Sequence, residues 1–153
     1  VFVAEALPEN VRLRNVVLAQ PALGPAYDLT PALRRIDGTL VHFHCATDVV
    51  LLGAGTSVLG TMDRRFEPSA GLGGFQIEKA VTDERLRQRF VQRAWSAAAL
   101  GSGHVGDHFG ILGYAWNRQY VAPYFLCGTG IDAPSAIARP HSGQRGAAMP
   151  INR

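Results

Sequence analysis

Lysine is almost missing from this chain of 153 residues: of its 15 basic side chains only Lys79 is a lysine, and the other fourteen are arginines. So one-sided a choice of cation points to coding-sequence composition rather than to a polyanion-binding surface. The arginines are also scattered. Their densest group, Arg85, Arg87, Arg89 and Arg93, has no aromatic side chains interleaved with it as a base-stacking platform requires, and it reads as a solvated face. With 12 acidic residues the formal net charge is only +3, and no nucleic-acid partner is expected. Cysteine is scarce as well. Cys45 and Cys127 cannot make a disulfide framework; they read as free thiols and favour a reducing compartment such as the cytoplasm. No run reaches the about 18 consecutive apolar residues of a membrane-spanning helix.

What remains is one domain's worth of chain. It opens on Val1 rather than methionine, and Val1 to Leu7 reads as the tail of a helix, so the sequence is expected to be a piece of something larger. Residues 1–127 form the expected folded unit. From Gly128 to Arg153 the composition of Pro, Gly, Ser, Ala and Arg predicts a disordered tail.

Pro8-Glu9-Asn10 breaks the first helix, and Arg14-Asn15-Val16-Val17-Leu18-Ala19 comes next as a short apolar strand. Thr30 as cap and Pro31 in the first turn predict a brief helix over Ala32 to Ile36, ended by Asp37-Gly38. Thr39 to Cys45, branched and aromatic, reads as a buried strand. Strand, helix and strand in that order imply a βαβ unit and a parallel sheet, hence an α/β fold with a mostly parallel sheet. Val49 to Leu59 predicts a further helix, and Arg64 to Gly74 a loop. Thr82-Asp83-Glu84 predicts a cap for the segment after it. That segment, Leu86 to Ala94, fits either a helical face or a strand, with a strand near Arg89 to Trp95 preferred. A glycine-rich loop from Gly101 to Gly113 and a helix around Asn117 to Tyr124 complete the sequence.

Two features carry chemistry. In an open parallel sheet, ligands and reacting groups gather beyond the carboxyl ends of the strands, where the loops converge. Asp48 lies just past the Thr39 to Cys45 strand, where a carboxylate can hold the Nδ1 proton of a histidine and stabilise the imidazolium. Its alternative role is to cap the helix that starts at Val49. His104 and His108 lie on the glycine-rich loop, where Gly101, Gly103, Gly106 and Gly110 permit sharp turns and close approach to a bound group. One of them is the expected general base. The other is expected to position the loop or contact substrate.

In their order, the strand Arg14 to Ala19 with Gln20-Pro21-Ala22, the strand Leu40 to Cys45 with Ala46-Thr47-Asp48, and the loop Gly103-His104-Val105-Gly106-Asp107-His108-Phe109-Gly110 resemble the C-terminal half of the α/β-hydrolase superfamily, whose triad runs Ser, Asp, His along the chain. The resemblance covers Val1 to Phe125. It implies a three-layer α/β sandwich, part of a serine hydrolase acting on a small-molecule ester, thioester or amide, with Asp48 orienting a histidine. His108 is preferred over His104 because the family's histidine precedes a terminal helix by a modest loop. The resemblance also implies a nucleophilic serine just upstream of Val1. No Gly-x-Ser-x-Gly elbow occurs in these residues: Ser57 in Gly55-Thr56-Ser57-Val58-Leu59-Gly60 lacks the spacing, and Ser102 lies in the histidine loop itself.

Other uses of the same residues exist. His42 and His44, alternate residues of a strand, share one face, and with His104 and His108 could ligate zinc in a metal-dependent hydrolase. Alternate residues facing a helix layer are more often packed core, so no metal is expected. Val49 to Val58 imitates a strand and a dinucleotide-binding turn, but the third glycine of that motif falls on Val58, and no cofactor is expected. A non-catalytic, hydrolase-like binding protein that keeps the acid and histidine as packing is a further alternative.

Overall fold

The protein, seen in a computed structural model that describes residues 1–126, is built on three short parallel strands. They are β1 (Val16–Ala19), β2 (Leu40–His44) and β3 (Phe90–Ala94), in the spatial order β1-β2-β3. The register pairs Leu40 with Val16 on one side and Phe90 on the other, and His42 with Leu18 and Gln92 in the same way. Because strand side chains alternate in direction, Leu40, His42 and Phe90 share one face, and Val41, Phe43 and Val91 the other.

Each face has its own apolar layer. Against the first lie Leu29, Leu33 and Ile36 from the β1–β2 connection, and Ala70, Phe75, Ala80 and Val81 from the β2–β3 connection. Against the second lie Ala99, Trp116, Tyr120 and Tyr124, all from the chain beyond β3. Both crossovers therefore pack on one side, as connections of a single hand between strands advancing in one direction must. The helical segment after β3 covers the opposite side. The α/β class expected from the sequence is what these elements form.

The helices are brief. They are α1 (Phe2–Glu5), α2 (Thr30–Leu33), α3 (Thr56–Leu59), α4 (Ala70–Gly73), α5 (Ile77–Ala80), α6 (Glu84–Arg87), α7 (Tyr114–Trp116) and α8 (Pro123–Leu126). A wide π turn, Val50–Gly55, leads into α3, and another, Asn117–Val121, joins α7 to α8. Around the first π turn, Thr56 Oγ1 donates to Leu52 O at 2.7 Å and Ser57 Oγ to Gly53 O at 2.8 Å. Such side-chain bonds back to a preceding carbonyl compete with the regular helical pattern.

Two local expectations change, and one ambiguity resolves in favour of the preferred strand. Thr30 does not cap α2: Asp28 Oδ1 instead accepts from Thr30 N at 2.9 Å, while the Thr30 hydroxyl bonds to Thr82 across the core. The stretch 64–74 is not all loop, because Ser69 N donates to Leu52 O and starts the single turn α4. The ambiguous run after Leu86 divides, with α6 capped by Asp83 and the strand beginning at Phe90. The tail expected over 128–153 lies outside the described residues. So does Cys127.

Candidate functional site

β2 ends at His44, and Cys45 to Asp48 turns back on itself, Asp48 N donating to Cys45 O at 3.2 Å. The turn leaves Asp48 5% exposed at the carboxyl end of the sheet. Its carboxylate does not cap the next helix, whose start takes no side-chain bond. Asp48 Oδ2 instead accepts from His108 Nδ1 at 2.7 Å. The His108 side chain keeps 31% of its surface exposed. In the neutral ring, a buried acid holding one nitrogen of a solvent-facing imidazole selects the tautomer with Nδ1–H, and Nε2 is then the lone-pair acceptor. The two strand-end segments that the sequence marked for chemistry thus converge.

The histidine loop is tied down at nearly every peptide. Trp95 Nε1 donates to His104 O at 3.1 Å, and Gly106 N to His104 Nδ1 at 3.2 Å. Gly106 O accepts from Thr47 Oγ1 at 2.6 Å and from Cys45 Sγ at 3.3 Å. Asp107 O accepts from Gln20 Nε2 at 3.3 Å, and Asp107 Oδ1 from Gly110 N at 2.6 Å. Gly103 and Gly106 have φ of +83° and +88°, a region in which a side chain is strained.

Within this loop His104 and His108 separate into two roles. His104, 2% exposed, packs between Trp95 and Trp116, with ring centroids at 6.2 and 5.4 Å. Burial pushes its pKa below the ordinary imidazole value, against the pull of Asp107 and Asp48. A ring with Nδ1 committed to Gly106 and so little exposure holds the loop. The carboxylate meets His108, the histidine preferred from the sequence.

His42 and His44 do share a face, their rings stacked at 5.5 Å, but that face is the core. His42 is fully buried beside Phe75, and its Nδ1 bonds to Gln92 Oε1 at 3.0 Å. Desolvation drives its pKa down to about 3. Burial likewise lowers that of His44, against a hydrogen bond with the Leu72 backbone. Among the described residues no three His, Cys, Asp or Glu side chains gather as metal ligands would, so the four-histidine zinc arrangement is not assembled. The segment that imitates a dinucleotide turn forms the π turn and α3, without the strand that must precede such a turn.

The hydroxyls of Ser57, Ser69 and Ser102 donate to the carbonyls of Gly53, Leu52 and Ala99, and none of these bonds reaches His108. Three partners of the site gave no signal in the sequence: Thr47, Gln20 and Trp95 belong to residue types that fill turns and cores everywhere. Only the structure singles out Gln20. Its φ of +47° and its 3% exposure mark a strained, buried polar residue at the end of β1.

No family model, curated protein or solved structure matches this chain. The chemistry of the site rests on its geometry.

Proposed function

We propose that this chain supplies the acid and the base of a Ser-His-Asp hydrolase, Asp48 and His108, and that its fold is the C-terminal part of a three-layer, α/β-hydrolase-like sandwich. The serine nucleophile comes from chain preceding Val1. The reaction is acyl transfer from a small-molecule ester, thioester or amide to water. One observation carries the reading: the 2.7 Å bond from His108 Nδ1 to the buried Asp48 carboxylate, at the carboxyl end of parallel strands. The apolar layers on both sheet faces, and the placement of the terminal helices opposite the crossovers, support the architecture.

The chemistry follows from the tautomer. His108 Nε2 takes the hydroxyl proton of the serine as its oxygen attacks the carbonyl carbon, and the Asp48 carboxylate stabilises the imidazolium that results. The proton then passes from Nε2 to the leaving alkoxide, thiolate or amine as the carbonyl–heteroatom bond breaks. Water, deprotonated by the same nitrogen, releases the acid and restores the serine. Asp48 remains a carboxylate throughout.

Turnover of p-nitrophenyl esters by the full-length gene product, together with labelling by a fluorophosphonate, tests the reading. Covalent labelling of a serine upstream of Val1, abolished in His108→Ala, is the expected result. A full-length protein that neither turns over esters nor takes the label would favour the non-catalytic, ligand-binding alternative.

A further inference from the structure

Thr47 immediately precedes the acid, and Gly106 stands two residues before the histidine. The Thr47 hydroxyl donates to the Gly106 carbonyl at 2.6 Å, although Thr47 is an exposed residue with water as an alternative partner. A Cβ on Gly106 would come within 2.6 Å of that same hydroxyl oxygen, so the approach exists only because position 106 is glycine with φ +88°. Cys45 Sγ adds a second donor to the same carbonyl at 3.3 Å, of the weak sulfur kind. One bond alone, Asp48 to His108, would let the two turns pivot about it. A second bond between the same turns removes that freedom.

We propose that Thr47 is a positioning residue for His108: through Gly106 it locks the acid-bearing turn to the histidine-bearing turn and so sets the alignment of the imidazole on Asp48. As a statement about catalysis this rests on the hydrolase reading above; as a statement about ring geometry it does not. A near-attack arrangement is sensitive to misplacement of about 1 Å, which can cost about a hundredfold in rate. Loss of one of several restraints on the ring should cost less.

The test uses the full-length protein with Thr47→Val, which keeps the shape and removes the donor, and Thr47→Ser, which keeps the donor. The readouts are kcat and KM for a p-nitrophenyl ester and the ring-nitrogen resonances of His108. Thr47→Val is expected to lower kcat about tenfold with KM within about twofold, and to shift or broaden the His108 resonances. Thr47→Ser is expected to match the parent in both. An unchanged kcat with unmoved resonances in Thr47→Val overturns the proposal, as does a loss that serine does not restore. If Thr47→Val does not fold, Thr47→Ala, which also lacks the donor, carries the same expectations. If Asp48→Asn and His108→Ala retain full turnover, it is the hydrolase reading that fails, and the resonances, which need no turnover, still decide the lock.

Discussion

The ring of His104 occupies the space that a methyl group on Gly110 would fill. Gly110 N is held by Asp107 Oδ1, so neither partner can step aside without moving His108, which lies between them in the chain. Gly110→Ala should therefore destabilise the protein by about 1–3 kcal/mol, the usual cost of overpacking, and should disturb the Asp48–His108 bond. A denaturant midpoint equal to that of the parent would contradict this.

On the proposed hydrolase reading, Asp48→Asn removes the charge that stabilises the imidazolium and offers His108 Nδ1 an amide in place of the carboxylate it now meets. In a Ser-His-Asp site such a change lowers kcat by about 10⁴-fold while leaving binding geometry in place. The same order of loss, with a circular dichroism spectrum like that of the parent, is expected here. Ester turnover by the full-length protein is the measurement.

Stability should fall as the medium is acidified below neutrality. The His42 ring, neutral in the fold down to about pH 3, titrates near 6.5 once unfolded. Between those values the unfolded chain binds the additional proton, so stability is full above about 6.5 and drops by about 1.4 kcal/mol for each pH unit below it from this ring alone. His44 and His104, also lowered by burial, act in the same direction. Urea midpoints between pH 7 and pH 5 should decline, and His42→Phe, among the rings of Phe75 and Phe90, should flatten the slope.

Gln92 Oε1 is shared by His42 Nδ1 and by the backbone N–H of Phe75 at 2.7 Å. Replacing Gln92 with leucine leaves two donors unpaired in a buried region, at about 1–3 kcal/mol apiece. A loss of about 2–6 kcal/mol in unfolding free energy is expected. A loss below about 0.5 kcal/mol would show that water reaches these groups.

Much of the framework is legible in the sequence because its signals are local. Branched apolar residues between turn formers mark β1 and β2, and Asp83 before Glu84 marks the cap of α6. The division at Leu86 and Phe90 is only half legible. Helical and strand spacings both fit that run, and pairing with β2 decides it. Thr30 has the residue type and position of a cap, yet its hydroxyl finds Thr82, 52 residues away, which no local pattern contains. The turn α4 is hidden for the same reason: its start depends on Leu52 O.

At the site, the sequence by itself determined that an acid would come after a buried parallel strand and that a histidine-bearing, glycine-rich loop would come after the next one, since runs of branched apolar residues and glycine spacing need only neighbouring residues. Which histidine meets the acid was decided by the tertiary structure. His104 and His108 are alike in composition and setting, and only the packing of Trp95 and Trp116 around one of them, with Gly106 turned against Thr47, leaves the other to face Asp48. Long-range hydrogen bonds and burial assign roles to chemically identical side chains, and neither is encoded in adjacent residues.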